Sequence, residues 1–194
     1  MSGEIADIEL VKRAQGRDRD AFDLLVRRYE NYAYNLCYRL TGNAADASDV
    51  LTDGFTRAWN GLVNFRGDAN FRTWMHRIMV NTFLDFRKKA MARPSYSLDQ
   101  AIEMTDQNLQ RQIQDDSPGP LDILETKELQ NELQKALMKL PDDRRMLLVL
   151  FHFEEHSYEE ISEILGLPVG TVKSRLNRAR LSLREILTKM RELS

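Results

Sequence analysis

Cysteine is almost missing from this chain: Cys37 is the only one in 194 residues, so neither an internal disulfide nor a cysteine-based metal cluster can form. Its neighbours Leu36 and Leu40 put it on an apolar helical face, which points to a packed thiol rather than a redox sensor. No apolar run approaches the length that spans a bilayer, and residues 1–9 are polar rather than signal-like. A cytoplasmic protein with no membrane insertion is expected. Strand-like alternation is missing throughout, which leaves an all-α fold. An excess of one charge is missing too. The 28 Lys and Arg face 30 Asp and Glu, a net charge of −2, and that total alone argues against a nucleic-acid partner.

The near-neutral total conceals an uneven distribution. Residues 1–93 carry 15 basic and 12 acidic side chains, residues 94–125 carry 1 and 7, and residues 126–194 carry 12 and 11. With the acid concentrated in the middle, each flanking segment can present a basic face. Residues 94–120 are polar and lack an apolar period, and Asp115-Asp116-Ser117-Pro118-Gly119-Pro120 is their clearest breaker. They read as a flexible acidic linker between two small helical domains, 1–93 and 121–194.

The sharpest local pattern begins at Ser157-Tyr158-Glu159-Glu160, a capping box in which hydroxyl and carboxylate each satisfy a backbone donor left over at a helix start. Tyr158, Ile161, Ile164 and Leu165 keep helical spacing, Gly166 stops that helix, and Pro168 suits the opening of the next. Two helices joined by so tight a turn make a helix-turn-helix. On the second, Val172, Leu176, Ala179, Leu183, Ile186, Leu187 and Met190 recur at steps of three and four. Lys173, Ser174, Asn177, Arg178, Arg180 and Arg184 are left outward. Seven Lys and Arg stand against two Glu from 171 to 194, whereas the first helix carries Glu159, Glu160 and Glu163 with no basic residue. A charged stripe alone is equally a solvated face. With a capped partner helix and a tight turn, it suits the major groove, where Arg or Lys can pair with guanine and Asn with adenine. Upstream, a helix over 121–140 and a short apolar helix over 146–151, capped by Pro141-Asp142-Asp143, complete a four-helix domain.

The first ninety residues also have helical periods: a short start at 8–14, a long helix from Phe22 to Leu40 stopped by Thr41-Gly42-Asn43, and another from about Ala44 to Leu62. A loop with Gly67 and Asp68 then leads into a helix whose inward residues are Phe71, Trp74, Met75, Ile78, Thr82 and Phe86. Arg66, Arg72, Arg77, Arg87, Lys88 and Lys89 are interleaved with them. Each aromatic taken singly is a core residue first. Rings among arginines also suit unstacked bases, because every base offers a face and every nucleotide a phosphate.

Three blocks together resemble a bacterial sigma factor of the extracytoplasmic function (ECF) group, the minimal members of the sigma-70 family that keep only the second and fourth regions. The first is Asp20-Ala21-Phe22 with Asp46-Ala47-Ser48-Asp49-Val50. The second runs from Asn64-Phe65-Arg66-Gly67-Asp68 through Phe71-Arg72-Thr73-Trp74 to Val80-Asn81-Thr82. The third runs from Ser157-Tyr158-Glu159-Glu160-Ile161 through Pro168-Val169-Gly170-Thr171-Val172-Lys173-Ser174-Arg175-Leu176 to Arg178-Ala179-Arg180. The resemblance implies that 1–93 binds core RNA polymerase and melts the promoter −10 element, and that 121–194 reads −35 duplex. Asp49, Thr52, Asp53 and Arg57 would face the clamp coiled coil of the polymerase β′ subunit, with Thr52-Asp53 standing where the family usually has a Gln-Glu pair. Asn64, Phe65, Arg66, Asn70, Phe71, Arg72, Trp74, Arg77 and Asn81 would hold the −10 strand around a flipped base. Thr171, Lys173, Ser174, Asn177 and Arg178 would meet the −35 element, with Arg175 and Arg180 toward phosphate. The C-terminal domain would also contact the β flap, an anti-sigma factor would control the chain, and no cofactor is implied.

Two other readings compete. His152-Phe153-Glu154-Glu155-His156 spells the H-x-x-E-H pattern of inverted zinc proteases. Ser157 caps a new helix directly afterwards, which puts His156 in a turn, and no third ligand has suitable spacing. A stand-alone helix-turn-helix regulator explains 141–194 equally well but leaves the loop at 63–74 without a role.

Overall fold

Helices α1 (Asp7–Gln15), α2 (Arg19–Thr41) and α3 (Ala44–Gly61), a 3-10 turn at Leu62–Asn64, and α4 (Phe71–Ala92) form the N-terminal half. Helices α5 (Pro120–Met138), α6 (Asp142–His152), α7 (Tyr158–Leu165) and α8 (Val169–Glu192) form the C-terminal half. The structure is a computed structural model; it describes residues 6–92 and 120–192, with side chains of α5 from 128 onward. The linker expected at 94–120 lies outside the described residues except for Pro120, which opens α5. No strand occurs among the described residues.

Local chemistry sets the helix ends. Asp18 caps α2 by accepting from the Ala21 N–H at 3.1 Å, and Gly42, at φ 84°, takes the left-handed conformation that ends it. Asn43 immediately caps α3, accepting from the Asp46 N–H at 2.8 Å. Helix α6 begins at Asp142, four residues earlier than its apolar run suggests. The Asp142 carboxylate lies in the first turn, where the helix dipole favours it, and it accepts from Arg145 and from Arg87 of α4. Helix α5 stops short of Leu140, because Pro141 disfavours helical geometry in the residue before it.

Helix α4 is central. Of its expected inward residues, Phe71, Met75 and Thr82 are buried, while Trp74, Ile78 and Phe86 are only partly covered. Thr73, His76, Met79, Val80 and Phe83 are buried as well. The apolar arc is wider than one face because α4 packs against α2 and α3 on one side and α7 on the other. Further links join the halves. Arg87 donates to Asp142 at 2.9 Å, Gln134 donates to the Tyr38 carbonyl at 3.3 Å, and the Arg145 guanidinium lies 5.8 Å from the centre of the Phe83 ring. Buried residues from Leu10 to Ala179 consequently form one contiguous cluster across both halves.

Gly54 lets α3 pack closely on α4. A Cβ there would lie 2.3 Å from Met79 Sδ, and Met79 is itself fully buried. Gly54→Ala should therefore destabilise the fold by about 1–3 kcal/mol through overpacking, measured by denaturant unfolding. An unchanged midpoint would show that Met79 can swing aside.

Candidate nucleic-acid interface

The capping box at α7 forms as its residues suggest. Ser157 Oγ accepts from the Glu160 N–H at 3.1 Å, and Glu160 Oε2 accepts from the Ser157 N–H at 2.9 Å. Gly166, at φ 64°, closes the helix, and its C-terminal neighbour Leu167 accepts from the Ser162 hydroxyl. Val172, Leu176 and Ala179 bury one face of α8. Lys173, Ser174, Arg175, Asn177, Arg178 and Arg180 are exposed on the other, with Thr171 half-buried at its start. This is the amphipathic division that groove binding requires.

Two aromatic residues outside the expected DNA-contact set lie against that basic face. Phe151 of α6 stacks on Tyr158 of α7 with centroids 5.1 Å apart and planes within 16°. The Lys173 ammonium sits 5.3 Å from the Tyr158 ring and the Arg180 guanidinium 4.9 Å from the Phe151 ring, so both cations are held by ring faces. Arg180 Nε also donates to His152 Nε2 at 3.1 Å. The zinc-protease spelling is broken up by this geometry. His152 ends α6 beside Arg180, Glu155 has a positive φ of 55°, and His156 faces α4 instead. Among the described residues, no group of three His, Cys, Asp or Glu side chains is placed to hold a metal.

In the N-terminal half the structure gathers the expected aromatics into one cluster. Phe65 lies 4.9 Å from Trp74 and 6.2 Å from Phe71, and Phe71 lies 5.6 Å from Trp74. Tyr29 of α2 backs Phe71 at 5.2 Å. The loop is pinned from α1 by Gln15, whose amide donates to the Leu62 and Phe65 carbonyls at 3.2 and 2.7 Å. A lone glutamine on a short helix gives no sequence signal for this. Asn64, Arg66, Arg77 and Asn81 are exposed, and Arg77 and Asn81, four apart, share one face of α4.

Asn70 and Arg72 are occupied differently. Asn70 caps α4, its Oδ1 accepting from the Thr73 N–H at 2.7 Å, while its Nδ2 donates to Glu160 Oε1 at 3.2 Å. The Thr73 hydroxyl donates to the same oxygen at 2.9 Å. Partial burial works against the ionised Glu160 carboxylate, yet the Ser157 amide, the Thr73 hydroxyl and His156 bring its pKa down to about 2. Arg72 donates to the Glu154 carbonyl at 2.9 Å and to Glu154 Oε2 at 3.3 Å. The Glu154 side chain is 3% exposed, and burial pushes its carboxyl up against the pull of Arg39 and Arg72. Asn81 of α4 and Arg175 of α8 line a single small cleft with Asp143 and Ile164. Residues expected at two different promoter elements are therefore neighbours in this arrangement.

Asp49, Thr52 and Asp53 are exposed along α3. Arg57 is anchored by Asp53 at 3.0 Å and by Asp85 of α4 at 2.7 Å, and Asp85, absent from the expected set, fixes its direction. Cys37 is fully buried, and burial pushes its thiol up to about 12.

Comparison with known proteins agrees with this layout. Residues 25–93 match the family described as Sigma-70 region 2, and residues 130–183 match Sigma-70, region 4. The ECF RNA polymerase sigma factor SigW of Bacillus subtilis is 39% identical over 179 residues, 91% of this chain and 94% of that protein. The ECF RNA polymerase sigma-E factor of Escherichia coli K12 is 37% identical over 180 residues, 93% of each. Among solved structures, CnrH in complex with the cytosolic domain of CnrY aligns at a TM-score of 0.66 and 26% identity, over 95% of this chain and 99% of that one. The sigma factor RpoE of Bartonella quintana, in complex with the anti-sigma factor NepR, shares the fold at a TM-score of 0.62 and 24% identity, over 86% and 96%. The chain belongs to the ECF group of the sigma-70 family of RNA polymerase sigma factors. No helix among the described residues is long and apolar enough to cross a membrane.

The capping box carries the orientation of the whole motif. Ser157→Ala should cost about 1 kcal/mol in denaturant unfolding, with Ser157→Asp restoring most of it; equal stability of all three forms would contradict the role of the cap.

Proposed function

We propose that this chain binds core RNA polymerase and directs transcription initiation, with 1–93 opening and holding the −10 strand and 121–194 reading −35 duplex. The observation that carries this reading is the presence of both candidate faces in one chain: exposed Asn64, Arg66, Arg77 and Asn81 by an aromatic cluster, and the basic face of α8. The linker of roughly 27 residues at 94–120 could reach about 90 Å extended, and two turns of B-DNA measure about 70 Å. One chain can therefore hold both elements, but only after Asn81 and Arg175 leave their common cleft. Polymerase contacts at Asp49, Thr52, Asp53 and Arg57 on the β′ clamp, and contacts of the C-terminal half on the β flap, would hold that extended form.

Asn64, Phe65, Arg66, Asn70, Phe71, Arg72, Trp74, Arg77 and Asn81 serve the −10 strand, where unstacking a base costs a few kcal/mol that stacking and pocket contacts offset. Thr171, Lys173, Ser174, Asn177 and Arg178 serve −35 bases, and Arg175 and Arg180 serve phosphates. The chain has no catalytic activity of its own, needs no cofactor and works in the cytoplasm. The structures of CnrH with CnrY and of RpoE with NepR support a protein partner of anti-sigma type for this chain as well.

The test is run-off transcription with purified bacterial core polymerase on promoter fragments from the source genome. Specific transcripts should appear only with the protein and fall about 5- to 150-fold with Asn81→Ala or Arg178→Ala, in line with the loss of about 1–3 kcal/mol of base discrimination. Absence of transcripts, with tight binding to a duplex site unaided, would support the stand-alone regulator instead. In holoenzyme binding to promoter DNA, Arg175→Ala should reduce the slope of log K against log salt by about 0.9, the loss of one phosphate contact; an unchanged slope would remove Arg175 from the phosphate set.

A further inference from the structure

His76 of α4 and His156 of the turn before α7 are 1% and 4% exposed, and neither belongs to the DNA or polymerase faces described above. Their rings meet edge to face, 4.9 Å between centroids and 88° between planes. His76 Nδ1 lies 2.7 Å from His156 Nε2, so one nitrogen donates and the other accepts, and a single hydrogen joins two neutral rings. Protonating both would put two cations in contact inside a packed interface, at the cost of desolvation and mutual repulsion.

The surrounding charges relieve that cost only in part, through Glu160. From α4, Arg72 adds a further cation beside the pair. From the turn, Glu154 Oε2 is 3.8 Å from His76 Nε2, but Arg72 already engages it, with Arg39 of α2 also nearby. Glu155 of the same turn is exposed. From α7, Glu160 Oε2 is 3.4 Å from His156 Nδ1, while the Glu160 carboxylate also accepts from Ser157, Thr73 and Asn70. Cys37 of α2 is a neutral thiol over the range in question.

We propose that His76 and His156 form a proton-sensitive latch between the two halves: the chain stays closed while the pair is neutral and opens as it takes up protons, freeing the −10 face. The consequence for DNA rests on reading 64–81 as that face; the latch itself does not.

Burial, then the neighbouring His156 and Arg72, bring His76 down to about 3, and burial also lowers His156, against about 6.5 for an exposed imidazole. The closed form thus binds fewer protons than the open one, and closure weakens as pH falls through about 6.5 toward the lowered values. Glu154, raised by burial, has the opposite sign. Glu160, lowered to about 2, acts with the histidines only below about pH 4.5.

Hydrogen exchange on the full chain, corrected for intrinsic rates, reports even rare openings. The amides of Thr73 and His156, both in residues buried where the halves meet, are the reporters. From about pH 7.5 to about pH 5.5 the opening constant should rise about tenfold for one titrating imidazole and toward a hundredfold for two, with α3 amides unaffected. His156→Gln keeps a neutral hydrogen-bonding group in place and leaves His76 alone to titrate, so the rise should fall to the tenfold of one imidazole, while Glu154→Gln should steepen it. In parallel, anisotropy of a fluorescein-labelled random-sequence DNA single strand is followed in a His152→Gln background, which removes the charging of that exposed ring. Affinity should rise by the same factor as the opening constant. Equal opening constants at the two pH values, or equal pH dependence in wild type and His156→Gln, overturn the latch. A pH-dependent opening constant with unchanged DNA affinity leaves the latch standing and overturns the −10 reading of 64–81.

Discussion

A single carboxylate, Glu160, stands between two helix starts. It completes the capping box of α7 through the Ser157 amide and accepts from Asn70 and Thr73 at the first turn of α4. Helix N-termini carry partial positive charge, so one anion satisfies both and fixes the helix-turn-helix against α4. The residue that makes α7 a stable helix therefore also sets how the two halves meet. Each of these polar contacts exchanges with water at a modest net cost, so closure can yield to a partner that offers more.

Ion pairing within the chain also limits the basic surface outside the acidic middle segment. Basic groups that suit nucleic acid are answered within the chain by acids: Arg72 by Glu154, Arg87 by Asp142, and Arg57 by Asp53 and Asp85. On α8 a basic face remains exposed, with Lys173 and Arg180 over the stacked Tyr158 and Phe151 rings.

Most of the fold was legible in the sequence because it rests on local rules. The capping box, Gly42, Asn43 and Gly166 act within one turn of themselves, and the helical period locates α2, α3, α7 and α8. The packing of one half on the other was not legible. It depends on α4 burying residues outside its main apolar face, such as Thr73 and His76, and a period count finds only one face. The candidate site divides in the same way. The outward face of α8 follows from spacing, whereas the Gln15 clamp on the loop carbonyls and the Asp85 anchor for Arg57 depend on distant segments meeting in space. Asn70 and Arg72 show the limit of motif reasoning, since in the closed chain the first caps α4 and the second holds Glu154.

If the chain exchanges its internal contacts for those of polymerase and promoter, the distance between its halves must change. The most direct measurement is resonance energy transfer between dyes on Glu30→Cys of α2 and Glu185→Cys of α8, both exposed positions. Transfer should be high in the free chain and fall sharply when core polymerase and promoter DNA are added. Transfer that stays high in an actively transcribing complex would contradict the exchange and show that the closed form is itself the working form.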